Sequence, residues 1–263
     1  MWFDQLRTLA RRDFLTDVRY PVAFVLGVLD AVIVLVSYSF LAGVFGEHRP
    51  DGYAPLAFLL VGIALTDSLT TALVCLALGV RNSQQAGTMK ALLALPLAPA
   101  RLMALSMAYP FVRAALDFVV FMMAAAALGV SFAAMHVTGV VVTFLLGVGS
   151  VFVMGLLSAS FALVFKRGDP VLWAVATATW LLSGVLYPTS VLPSWLRFAS
   201  TLLPTTHALA AMRAAVIDGA SWTALGPDIR ALFGFDLVGI PAGLWLFTVA
   251  VTHAKRVGTL GHA

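Results

Sequence analysis

The chain has 263 residues, 61% hydrophobic and 11% charged, with a formal net charge of +4. A soluble globular domain carries roughly a quarter charged residues, so water is excluded as the main solvent, and positives set between apolar runs exclude a nucleic-acid surface. The single cysteine, Cys75, lies in an apolar run, which excludes an intrachain disulfide or a multi-thiolate metal site built from this chain.

Residues 1–20 read MWFDQLRTLARRDFLTDVRY and lack the apolar core of a cleavable signal peptide. Trp2, Phe3, Leu6, Leu9 and Ala10 recur at helical spacing opposite Asp4, Arg7 and Arg11, which predicts an amphipathic helix lying in the membrane interface. Six apolar runs follow, at about 22–46, 54–80, 101–130, 136–165, 170–189 and 229–254. Each approaches or exceeds the roughly 20 residues that cross a hydrocarbon core of about 30 Å. The expected fold is all-α, a polytopic bundle of six transmembrane helices forming one membrane domain over residues 1–263.

Two connections carry structure of their own. Residues 81–100, RNSQQAGTMKALLALPLAPA, have a polar start and then a short amphipathic helix stopped by Pro96 and Pro99. Residues 188–228 are apolar but broken by Pro193, Pro204 and Pro227 and interrupted by charges, so the pieces are expected to dip into the outer leaflet or lie along it.

Arg7, Arg11, Arg12, Arg19, Arg81, Lys90, Arg101, Lys166, Arg167, Lys255 and Arg256 all fall on one side of this layout, against Arg49, Arg197, Arg213 and Arg230 on the other. The positive-inside bias then puts both termini in the cytoplasm.

A charge at the bilayer centre costs at least about 2.5–3.5 kcal/mol, so each intramembrane charge calls for a partner or a path. Asp30, Asp67, Arg113 and Asp117 are predicted to lie deep, and Asp236 shallower, near the outer end of the last span. Tyr109, Arg113 and Asp117 recur every four residues, and Asp67 shares a face with Thr70 and Thr71. Two expectations stand open: a buried ion pair or triad that fixes helix packing, and a polar stripe that lines a path. His48, His136, His207, His253 and His262 have no ligand spacing, so no metal site is expected.

Both structured connections resemble the type-2 ATP-binding-cassette (ABC) export permeases, the family of drug, nodulation-factor and polysaccharide exporters. Gln85, Gly87, Thr88, Leu92, Leu93 and Pro96 match the family's cytoplasmic coupling segment, acidic-x-Gly-Thr-x-x-x-Leu-Leu-x-x-Pro, with Gln85 in the acidic place and Met89 and Lys90 replacing Leu-Glu. Gly184, Tyr187, Pro188, Leu192, Pro193, Trp195, Leu196, Leu203, Pro204, His207, Arg213 and Gly219 resemble its re-entrant pattern after the fifth span. The resemblance covers essentially the whole chain. It implies a bacterial inner-membrane transport subunit, paired with itself or a homologous permease, that moves an amphipathic or lipid-linked substrate outward. The chain has no Gly-x-x-x-x-Gly-Lys-Ser/Thr phosphate loop. ATP and magnesium are therefore expected on separate cytoplasmic ATPase subunits, with no cofactor here. The alternatives are a membrane-embedded lipid-modifying enzyme, which needs converging nucleophile, base or metal ligands, and a membrane scaffold that transports nothing.

Overall fold

The computed structural model describes residues 21–44, 50–85, 108–165 and 170–257. The predicted interfacial helix over 1–20 and the coupling residues Gly87, Thr88, Leu92, Leu93 and Pro96 lie outside the described residues.

Among the described residues the protein is all-α. Its helices are α1 Pro21–Val44, α2 Pro55–Gln85, α3 Ala108–Ala127, α4 Val137–Phe165, α5 Pro170–Leu182, α6 Ser194–Thr201, α7 Pro204–Val216 and α8 Trp222–Val257, with short 3-10 turns at Pro50–Gly52 and Thr189–Val191. Four contain stretches long and apolar enough to cross a membrane: Pro55–Val74, Pro110–Ala127, Val137–Val164 and Trp222–Ala254. Ile33–Val44 and Leu172–Leu182 are shorter apolar stretches. The protein is a multi-pass membrane protein.

Helix α2 is the centre of the bundle, because its apolar residues surround the helix instead of forming one stripe. Phe58, Leu59, Leu60, Ile63 and Leu65 are all fully buried. It packs against α3, α4, α7 and α1, while α4 packs most extensively on α8. Phe144 of α4 meets Phe118 and Phe111 of α3 with ring centroids 5.2 and 6.3 Å apart. Helices α3 and α8 keep broad apolar faces outward, including Val112, Leu116, Val119, Met123, Phe233, Leu237, Val238 and Trp245. Exposed apolar surface of this extent fits lipid as the surrounding solvent.

The turns that open α2, α4 and α8 meet at one end of the bundle. The Tyr53 hydroxyl donates to Asp218 Oδ2 at 2.7 Å. The His136 backbone N–H donates to Ala215 O at 2.8 Å, and its ring Nδ1 lies 2.9 Å from Ala220 O. The chain therefore alternates direction, and the far ends of α2, α4 and α8 lie at the opposite pole.

Several predicted boundaries shift. The last helix begins at Trp222, not near 229, and takes Pro227 inside itself. Proline near a helix start removes few intrahelical bonds, since the first N–H groups have no partner there anyway. Asp236 therefore lies near the middle of the apolar stretch Trp222–Ala254, about four turns from its start. Helix α2 runs on to Gln85, absorbing the polar start of the predicted 81–100 connection, and α5 stops at Leu182 instead of 189.

Candidate functional site

The segment between α5 and α8 forms a folded unit set into the bundle. At Gly184 the chain turns through φ +79°, a left-handed conformation that a side chain resists. Pro188 is buried at the start of the 3-10 turn, and Pro193 precedes α6. Arg197 of α6 donates Nη2 to the carbonyls of Ser190 and Leu192, the latter at 3.3 Å, which binds helix to turn. Trp195, Phe198 and Leu202 stay exposed, each by more than 60%.

Helix α7 starts at Pro204, whose fixed φ suits the first helical position. It is buried along most of its length among α2, α4 and α8. Ala208, Ala211 and Ala215 recur at helical spacing and are fully buried, so the backbones approach closely.

Arg213 locks this unit to the central helix. It is 5% exposed. Its Nε donates to Phe58 O at 3.1 Å, one Nη to Gly184 O at 2.8 Å and the other to Val185 O at 2.9 Å. The guanidinium carbon also stands 3.5 Å from the centroid of the Phe58 ring, a cation–π contact. Three carbonyls and a ring face thus replace the water that a buried guanidinium gives up. Gly62 makes the space, since a β-carbon there would collide with Nη2.

The predicted polar residues lie on several helices. Arg113 Nε lies 3.2 Å from Asp117 Oδ1, an ion pair one turn apart on α3. Asp67 is half-buried on α2, and Thr70 one turn on lines a small cleft with Thr179 of α5, Ser150 and Met154 of α4 and Thr205 of α7. Asp30 lies on α1, Tyr109 in the first turn of α3 and Gln85 at the end of α2, by backbone position. Trp195 and Pro204 serve α6 and α7 as described, and His207 bonds Asp228, with 2.7 Å between Nδ1 and Oδ1.

Two features escape the sequence reading. Asp236 is 6% exposed and accepts from Ser150 Oγ at 2.8 Å, lying over Gly149 of α4. The glycine-serine pair in α4 was its signal. Asp228 was read only as the end of a connection, yet it is the partner of His207.

A family model described as ABC-2 type transporter matches residues 4–217. No curated protein matches the chain. The matched range covers most of the chain, from the amino-terminal segment through the Arg213 unit to Ile217.

Proposed function

We propose, from the premise that this chain belongs to the ABC-2 type transporter family, that it is the membrane subunit of an exporter for an amphipathic or lipid-linked molecule. As a transport subunit it leaves ATP hydrolysis to a separate partner. The observation that carries the reading is the family match across residues 4–217, which takes in 81–100 and the second motif as far as Arg213. The Arg213 unit supports it, because a short helical pair held inside a bundle has no evident use in a plain scaffold.

In this reading six helices cross the bacterial inner membrane. Helix α1, 24 residues long, reaches about 36 Å at 1.5 Å per residue, enough for the core. Arg81 near the end of α2 and Lys255 and Arg256 at the end of α8 stand at the pole opposite the Arg213 unit, and the positive-inside bias supports a cytoplasmic side for that pole. Residues 84–96 seat in a cleft of the ATPase, two permeases pair, and ATP with magnesium binds only the partner. Asp67, Thr70 and the cleft beside them border the path, while Arg113 and Asp117 are a packing pair.

Co-purification tests the reading. Replacing Leu92 and Leu93 with Asp puts two charges into an apolar contact with the partner. The expected result is loss of the ATPase, or of hydrolysis stimulated by amphiphiles, with membrane insertion unchanged. Wild-type co-purification and stimulation in that variant would remove the coupling role of 84–96.

A further inference from the structure

His207 sits in the second turn of α7, between the end of α6 and the start of α8. Its Nδ1 lies 2.7 Å from Asp228 Oδ1 and its Nε2 lies 3.0 Å from the Thr201 carbonyl. A carbonyl oxygen only accepts, so Nε2 carries a proton; an ionised carboxylate only accepts, so Nδ1 carries one too. The ring in this geometry is an imidazolium holding two helices at once. A neutral imidazole has a single N–H and holds one partner only.

We propose that protonated His207 is a pH-operated latch that fastens the end of α6 to α7 and α8, and that loss of the ring proton frees the last turn of α6. The surroundings are built for it. Thr201 is the last residue of α6, where unpaired carbonyls favour a cation. Near the start of α7 a cation is disfavoured, and the carboxylate of Asp228 offsets that. Both side chains retain partial exposure, 25% for His207 and 30% for Asp228, so protons exchange with the medium.

Among the described residues, Asp228 is the charged group that acts on the ring. The neighbouring cations are committed elsewhere: Arg230 of α8 to Gly226 O at 3.1 Å, Arg213 of α7 to its three carbonyls, Arg197 of α6 to the turn before it. The hydrogen bond to Asp228 is the largest influence on His207 and raises its pKa above the usual 6.5, with burial opposing. A raised folded-state value means the latch is whole below about 6.5 and is lost as pH climbs through the raised value. The rest of the last turn of α6 is held through Ser200, whose Oγ lies 2.7 Å from Leu182 O and 3.3 Å from Thr206 Oγ1, while its outward residues are exposed.

Hydrogen exchange by mass spectrometry on the full chain in lipid nanodiscs tests this, following peptides across 194–207 and correcting for the intrinsic pH dependence of exchange. The wild type is expected to lose protection there by about tenfold on the alkaline side. His207→Gln should show no such transition, and Asp228→Asn should move it down toward 6.5, the ordinary histidine value. A flat wild-type profile, or an unchanged transition in His207→Gln, overturns the latch. Should His207→Gln not fold, Asp228→Asn decides: a midpoint that moves down supports the proposal, and one that stays in place overturns it.

Discussion

Arg113 and Arg213 show two ways of carrying a guanidinium inside a membrane protein. Arg113 is a third exposed and pairs with Asp117 four residues along the same helix. Arg213 is nearly sealed, and its partners are main-chain carbonyls of Phe58, Gly184 and Val185 on other segments. A pair within one helix forms as soon as the helix does and says little about tertiary structure. A guanidinium held by carbonyls 28, 29 and 155 residues away forms only when the whole bundle is assembled. The second arginine is therefore a tertiary lock, whereas the first has a partner on its own helix.

The comparison breaks most directly at Arg213. Arg213→Ala strips the buried Gly184 and Val185 carbonyls of this donor at roughly 1–3 kcal/mol each, and removes the contact to α2 as well, so a loss of at least about 2 kcal/mol and a fall in folded yield are expected. Arg213→Lys should rescue only part of this, because an ammonium lacks the planar fork that reaches separated acceptors. Thermal unfolding in detergent measures both, and a wild-type midpoint for the Ala variant would refute the lock.

A gentler probe is Gly62→Ala. The new methyl meets Nη2 of Arg213, and forcing that contact apart should cost about 1–3 kcal/mol. Gly43→Ala is the control, having nothing within 4 Å of the added carbon. Equal midpoints for the two variants would show that the arginine yields without loss.

The smallest effect is expected at the local pair. In a double-mutant cycle of Arg113→Ala and Asp117→Ala, the coupling should be about 0.3–0.5 kcal/mol, the usual range for an ion pair four residues apart on one helix. A coupling several times larger would give Arg113 a tertiary role after all.

What the sequence disclosed follows the same division. The apolar runs that became α2, α3, α4 and α8 were legible, because lipid demands long uninterrupted helices. So was the Arg113–Asp117 pair, since four-residue spacing is a helical neighbour relation. The motif that runs from Gly184 to Arg213 was visible, but the bonds between them were not: any residue can supply a carbonyl, so Phe58 and Val185 left no mark. The start of the last helix was set about two turns late because Pro227 was read as a break. The His207–Asp228 contact depended on that same boundary. The coupling residues remain a matter of resemblance.

The unbroken length of α8 has a mechanical consequence. Its 36 residues extend about 54 Å, against a hydrocarbon core of about 30 Å. Such a rod leans steeply or stands well clear of the bilayer, and in either posture its two ends report on different aqueous compartments. Its upper end bears Trp222 and Asp228 and its lower end Arg256, so tilting one displaces the other. Pro241 lies between them and supplies no N–H to the carbonyl of Leu237. That missing bond marks where the lever would flex, on the carboxy-terminal side of Asp236 and its hold on α4.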